Sequence, residues 1–255
     1  MLDRVLTSVR RRLPEVRARQ DRLREEAAGL APPRDFAGAL AGPGLSVIAE
    51  FKRASPSKGV INAGMDPSER AAAYEAGGAS AMSVLTEPDH FMGSPEDLRS
   101  ARSATALPAL RKDFTLDTAQ VWEARVMGAD AVLLIVAILD DALLARMLRA
   151  AEEAGLDALV EVHSRREAER AIEAGATLIG VNNRDLRTFD VDLATSERIA
   201  PLLEGVDLRI AESGVKGPDD AARLGAAGYD ALLVGEYLSR SADPAEAISG
   251  LRGVA

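Results

Sequence analysis

Polar side chains interrupt several short apolar segments of the chain, each close to the carboxyl end of its segment. They are Glu50, Lys52, Lys112, Glu161, Asn182 and Glu212. A lone charge in such a place is often half of a structural ion pair, but burying several charges is costly unless they pair or bind a ligand. Two lysines and three glutamates suit both internal pairing and acid–base catalysis. The sequence therefore predicts one polar site built from strand ends.

Other site chemistries lack the residues that they need. The chain has no cysteine, which excludes disulfides, thiolate metal sites and a cysteine nucleophile. Its two histidines, His90 and His163, are isolated from each other, and we interpret both as structural or rim residues. No Ser-His-Asp arrangement and no cluster of metal ligands is recognisable. We therefore expect no metal site.

Composition narrows the class of protein. The 255 residues fit one barrel-sized domain, and 47% hydrophobic residues allow a large core. A net charge of −9 argues against a partner nucleic acid, because a duplex binder needs a basic face. No apolar run reaches about 18 residues, and the N-terminus lacks the apolar core of a signal peptide. We expect a cytoplasmic protein that binds no membrane.

A repeated pattern predicts how the strand ends are positioned. The pattern consists of glycine, any one residue, a small polar or acidic residue and then an aliphatic run. It begins at Gly78, Gly128, Gly155, Gly175 and Gly228. Each glycine follows an amphipathic stretch, as at a helix end that requires a left-handed residue. Each aliphatic run is short and apolar on both faces, which is typical of a buried parallel strand.

Three more strand candidates bring the total to eight: 46–52, 108–112 and 207–212. They alternate with predicted helices near 67–77, 95–103, 118–128, 141–154, 164–174, 193–203, 218–227 and 243–251. Eight alternations in residues 46–255 favour an α/β fold of the (β/α)8 TIM-barrel type, with a doubly wound sheet as the alternative. Active sites of that barrel lie at the carboxyl ends of the strands.

Residues 1–45 form a separate segment, for which we predict a helical extension of the barrel. Leu2, Val5, Val9 and Leu13 recur at helical spacing among many charged residues. Pro14 either begins a second helix or kinks a single one. The extension either packs over one end of the barrel or acts as a lid on the site.

The sequence also predicts a phosphate-binding site. Ser213-Gly214 and Gly235-Glu236 follow the seventh and eighth strands, where this fold usually binds phosphate. Glycine lets backbone N–H groups approach an anion, and a short helix after Gly235 would add its positive end. Ser55 and Arg184 are further candidate donors.

The strand-end motifs together resemble the indole-3-glycerol-phosphate synthase family. The resemblance runs from about residue 40 to 250 and rests on the segments Ile48–Gly59, Ser83–Glu87, Phe91–Ser94, Leu110–Phe114, Leu159–His163, Val181–Leu186 and Ala211–Gly214. It implies that 1-(2-carboxyphenylamino)-1-deoxyribulose 5-phosphate is cyclised, decarboxylated and dehydrated to indole-3-glycerol phosphate in tryptophan biosynthesis. The only implied partner is this phosphosugar-anthranilate substrate, with no cofactor or metal, and we expect a monomer or weak homo-oligomer.

The resemblance also implies roles. Lys112 is the general acid on the substrate carbonyl, and Glu161 acts on the departing hydroxyl. Lys52 pairs with Glu50 and the substrate carboxylate, and Asn182 and Glu212 orient groups. Ser213 belongs to both the catalytic and the phosphate sets, and the phosphate set also contains Ser55, Arg184, Gly214, Gly235 and Glu236. The implied anthranilate pocket consists of Pro56, Phe91, Phe114, Leu133, Ile135 and Leu186.

Two positions depart from the family pattern. Ala54 lies where some members carry a lysine near the phosphate, and Glu236 lies where some carry serine. A carboxylate at 236 would repel a phosphate, although its backbone N–H remains available. The alternatives are a Schiff-base aldolase that uses Lys112, an Amadori-type isomerase, or a non-catalytic phosphate-binding barrel.

Overall fold

The computed structural model describes residues 2–56, 58–185 and 188–253, and its centre is a closed barrel of parallel strands. The strands are β1 (Ser46–Phe51), β2 (Ala54–Ser55), β3 (Gly59–Val60), β4 (Ala81–Leu85), β5 (Ala109–Lys112), β6 (Ala131–Ile135), β7 (Asp157–Val162), β8 (Leu178–Asn182), β9 (Leu208–Glu212) and β10 (Ala231–Val234). The barrel order is β1-β10-β9-β8-β7-β6-β5-β4, and β2 and β3 form a separate hairpin. This confirms the predicted (β/α)8 barrel and excludes the doubly wound sheet.

Helices surround the barrel and cover its ends. Their bounds are α1 (Leu2–Ala18), α2 (Gln20–Ala28), α3 (Phe36–Leu40), α4 (Pro67–Ala76), α5 (Pro88–Phe91), α6 (Pro95–Ala104), α7 (Thr118–Met127), α8 (Asp141–Ala154), α9 (Arg165–Glu173), α10 (Ala194–Ile199), α11 (Pro218–Ala226), α12 (Glu236–Arg240) and α13 (Pro244–Arg252). No helix in the described ranges is long and apolar enough to cross a membrane.

The repeat glycines have the backbone conformation that the sequence predicted. Gly78, Gly128, Gly155, Gly175 and Gly228 have φ values of 81°, 92°, 71°, 85° and 91°. An L side chain is strained at these angles, which explains why glycine recurs at these five connections between a helix and the next strand.

The interior of the barrel changes from apolar to polar along the strands. Residues near the strand starts, such as Ile48, Leu110 and Leu159, form a buried aliphatic cluster. The inward-facing positions two residues further along are Glu50, Lys112 and Glu161, because side chains alternate along a strand. The fold therefore concentrates charge at the carboxyl-terminal mouth.

The N-terminal segment contacts both ends of the barrel. Phe36 and Leu40 of α3 are fully buried among the apolar residues near the strand starts. In contrast, α1 crosses the mouth, where Leu2 and Val5 line the central cavity. Pro14 lies inside α1, and the break to α2 falls at Arg19, so the proline does not begin a second helix.

Candidate active site

Lys112 is the centre of a buried charge cluster at the mouth. It ends β5, and its Nζ donates to Oε2 of Glu161 on β7 and to Oε2 of Glu212 on β9, each at 2.7 Å. Asn182, at the end of β8, donates from Nδ2 to the other oxygen of Glu161 at 3.1 Å. Four strands thus bring together four of the predicted residues as one hydrogen-bonded unit.

This arrangement fixes the charge of Lys112 and Glu161. Burial favours the neutral amine, but the negative charges of Glu161, Glu212 and Glu50 outweigh it and raise the pKa of Lys112 above its usual value. Burial also favours neutral Glu161, but Lys112 and His163 outweigh it and lower the pKa of Glu161 well below its usual range. The resting pair is therefore an ammonium and a carboxylate.

Glu212 differs from Glu161 in its protonation. Burial raises its pKa, and although Lys112 opposes this, the charge of Glu161 adds to it, so the pKa of Glu212 rises to about 7. Two buried carboxylates that share one cation cannot both ionise easily. The cluster can therefore hold an exchangeable proton on Glu212 close to neutral pH.

A second ion pair lies beside the cluster. Lys52 Nζ donates to Oε1 of Glu50 from the residue just after β1. A Cβ on Gly235 would overlap both Oε1 of Glu50 and Nζ of Lys52. Gly235 was predicted for the phosphate site, and the structure adds that its missing side chain leaves space for this ion pair.

Gly180 was not identified from the sequence, yet it shapes the site. It faces inward in the middle of β8, and a Cβ there would overlap Oε1 of Glu212. This oxygen is buried and accepts no hydrogen bond within the described part of the chain. A glycine inside an otherwise aliphatic strand is a recognisable signal of close approach, and it could have indicated this position.

The turn after β9 has an unusual backbone. Ser213 and Gly214 both have left-handed φ values, 65° and 92°. A serine in this region costs energy and persists only where its surroundings impose it. Asn183, also missed from the sequence, imposes it here: its Nδ2 donates to the carbonyl oxygens of Glu212 and Ser213, both at 3.1 Å.

Cations surround Glu236, one of the two residues that depart from the family pattern. Its carboxylate lies 3.4 Å from Nζ of Lys58, 3.5 Å from Nη2 of Arg184 and 3.0 Å from Nη2 of Arg240. These contacts lower the pKa of Glu236, although partial burial opposes them. The other departure, Ala54, is buried in the hairpin, where it pairs with Val60.

One cavity at the barrel mouth is lined by all the predicted site residues that the structure describes. They are Glu50, Lys52, Ser55, Pro56, Phe91, Lys112, Phe114, Leu133, Ile135, Glu161, Asn182, Arg184, Glu212, Ser213, Gly214, Gly235 and Glu236. Leu186 lies outside the described residues. The rings of Phe91 and Phe114 are 6.2 Å apart, so one wall is aromatic and aliphatic.

The histidines occupy different positions. His90, on α5 near the mouth, lies 3.3 Å from the hydroxyl of Ser8 on α1. His163 was interpreted as a structural or rim residue, but its Nε2 lies 3.3 Å from Oε1 of Glu161. Among the described residues, no group of three or more His, Asp or Glu side chains is arranged to hold a metal ion.

Comparison with known proteins identifies close relatives along the whole chain. A family model described as indole-3-glycerol phosphate synthase matches residues 2–251. Indole-3-glycerol phosphate synthase 1 of Streptomyces coelicolor is 49% identical over 98% of this chain and 94% of its own length. The synthase of Mycolicibacterium smegmatis is 48% identical over 98% of this chain and 93% of its own length.

A solved structure shares the fold at low identity. Thiamine phosphate pyrophosphorylase from Pyrococcus furiosus aligns with a TM-score of 0.63 at 20% identity, covering 86% of this chain and 97% of its own. This similarity shows the barrel architecture alone.

Proposed function

The chain belongs to the indole-3-glycerol phosphate synthase family, and from this premise we propose how its cavity closes an indole ring. The substrate is 1-(2-carboxyphenylamino)-1-deoxyribulose 5-phosphate, which cyclises, loses CO2 and loses water. The reaction is that of a carboxy-lyase of tryptophan biosynthesis. The observation that carries the proposed mechanism is a lysine, Lys112, held between the carboxyl groups of Glu161 and Glu212 in a cavity with an apolar wall.

Lys112 acts in ring closure. The aromatic carbon that bears the carboxylate attacks the C2 carbonyl, and negative charge develops on the carbonyl oxygen. An ammonium aimed into the cavity donates a proton to that oxygen as the bond forms. Loss of CO2 then restores the aromatic ring. Because Glu161 and Glu212 favour the charged lysine, the acid is ready before the substrate arrives.

Glu161 acts in dehydration. It is ionised in the resting site, so it accepts the proton that C1 loses as the C1–C2 double bond forms and returns it to the C2 hydroxyl, which leaves as water. Lys112, whose Nζ lies 2.7 Å from Oε2 of Glu161, has by then given its proton to the C2 oxygen and regains one from solvent. Asn182 holds the other carboxylate oxygen and thus keeps Glu161 oriented during both transfers.

The remaining lining residues orient the substrate. Lys52 pairs with the substrate carboxylate, and the aromatic ring packs against Phe91 and Phe114. Backbone N–H groups after β9 and β10, together with Arg184, hold the phosphate. Leu2 and Val5 of α1 cover the cavity, so residues 1–45 serve as a cap on the barrel domain, 46–255.

The test is a direct assay of ring closure. Purified protein mixed with the substrate in EDTA should develop indole fluorescence, with one CO2 released per indole formed, and Lys112→Ala should serve as the inactive control. Absence of product would contradict the proposed function. Activity that EDTA abolishes and a divalent ion restores would contradict the metal-free prediction. A cytoplasmic location and a monomeric or weakly oligomeric state stay predictions.

A further inference from the structure

His163 lies behind the catalytic cluster rather than in the cavity. It directly follows β7, two residues after Glu161, so both side chains leave the strand on the same side. Its side chain is 13% exposed, and it does not line the central cavity. A substrate bound there would therefore contact Glu161 but not His163.

The imidazole is held between two carboxylates. Nε2 lies 3.3 Å from Oε1 of Glu161, and Nδ1 lies 3.3 Å from Oε2 of Glu167 on α9. The backbone N–H of His163 also donates to Oε2 of Glu167 at 2.8 Å. Among the described residues, these are the charged groups within ion-pair distance of His163. An imidazole ring whose two nitrogens each face a carboxylate is best satisfied when both nitrogens carry protons.

The contact with Glu161 is made by charge more than by a directed hydrogen bond. Nε2 is buried and has no aligned acceptor within the described ranges, although Oε1 of Glu161 is close. That same oxygen accepts the amide of Asn182, while Lys112 occupies the other oxygen. His163 thus supplies a second positive charge to a cluster in which one lysine, Lys112, pairs with both Glu161 and Glu212.

We propose that His163 is a positioning residue that acts through Glu161: as an imidazolium anchored by Glu167, it holds the Glu161 carboxylate ionised and in place for proton transfer. This inference rests on the proposed function of Glu161. Burial favours a neutral ring, but the carboxylates of Glu161 and Glu167 outweigh it and raise the pKa of His163 to about 10. The same charge lowers the pKa of Glu161, after that of Lys112.

The first experiment needs no catalysis. Because the chain has only two histidines, ¹⁵N NMR resolves both rings, and His90→Asn assigns them. The ring of His163 should carry two protons at pH 8, and Glu167→Gln, which removes one of its two carboxylates, should lower its pKa. A neutral His163 ring at pH 7 would overturn the proposal, whether or not the protein is a synthase.

The second experiment measures the consequence for Glu161. In His163→Asn, kcat should fall with KM close to wild type, and the acidic limb of the kcat profile should move up by about 1 to 3 pH units, as expected when a facing cation is lost. His90→Asn should leave that limb in place. An unmoved limb in His163→Asn would overturn the proposal.

A double-mutant cycle separates positioning from general packing. In the Glu161→Gln background, removing His163 should reduce kcat little further, because its partner no longer ionises. Fully additive losses in the double variant would show that His163 acts through the fold and not through Glu161. Wild-type protein without synthase activity would refute the proposed function instead, and the NMR result would still stand.

Discussion

Gly180 leaves the space that the carboxylate of Glu212 occupies, since a Cβ built on Gly180 would overlap Oε1 of Glu212. The two residues lie on adjacent strands, β8 and β9. The backbone of β8 at Gly180 is ordinary strand, in which any residue could lie. The glycine is therefore required by the position of the Glu212 carboxylate and not by the strand.

Gly180→Ala should displace Glu212 and with it the hydrogen bond to Lys112. We expect kcat to fall by about 10²-fold, which is typical when a catalytic group moves by about 1 Å. Gly217→Ala is the matched control, since a Cβ at Gly217 meets no atom within 4 Å. Steady-state kinetics at matched thermal stability test this, and wild-type kcat in Gly180→Ala would contradict the requirement.

Glu161→Gln keeps the shape of the side chain and removes its titrating proton. General acid–base catalysis typically contributes about 10²- to 10⁴-fold, so kcat should fall by that factor with little change in KM. Glu169→Gln, on the exposed face of α9, should behave as wild type. A loss confined to KM would assign Glu161 to binding.

The pKa of Glu212 predicts a pH dependence. Below about pH 7 the carboxyl is neutral, and above it the carboxylate adds a negative charge beside Lys112. That charge holds the lysine proton more tightly and weakens the acid, so kcat/KM should fall as pH rises through about 7. Glu212→Gln should abolish this fall in kcat/KM, whereas any change in kcat/KM that comes from titration of the substrate phosphate should remain. An identical profile in both proteins would contradict the assignment.

Arg184 and Glu236 should affect phosphate binding in opposite directions. Arg184→Ala removes a cation and should raise KM, whereas Glu236→Gln removes the carboxylate that neutralises Lys58 and Arg184. One charge at 4 Å contributes roughly 1 kcal/mol in water, so Glu236→Gln should lower KM by about fivefold. The dephosphorylated substrate should respond to neither change. A raised KM in Glu236→Gln would show that Glu236 orients its cations for the ligand.

The barrel was predictable from the sequence because its signals are local. Five of the helices are followed by a left-handed glycine, and the next strand is a short apolar run, so Gly128 and Gly155 mark their own boundaries. The strand-end charges were predictable too, since Lys112 and Glu161 interrupt apolar segments. The sequence left open whether Pro14 begins a second helix or lies within a single one. Pro14 lies inside α1, whose apolar face packs on Leu116 and Phe114, so only the first alternative was wrong.

Most of what the sequence did not reveal depends on residues that are distant along the chain. The need for Gly180 follows from Glu212, 32 residues later. Two of the cations beside Glu236, Lys58 and Arg184, also come from distant segments, and only tertiary packing brings such groups together. The setting of His163 is different, because Glu161 lies two residues earlier and Glu167 four residues later, so this missed contact was a local one.

The most direct test of the central claim asks whether Lys112 acts as an acid or as a nucleophile. A Schiff-base nucleophile must be neutral, whereas the carboxylates of Glu161 and Glu212 keep this lysine charged. Borohydride added during turnover, followed by mass spectrometry of the intact protein, distinguishes the two. We expect an unchanged protein mass while indole forms. A reduced substrate adduct mapped to Lys112 would contradict the account.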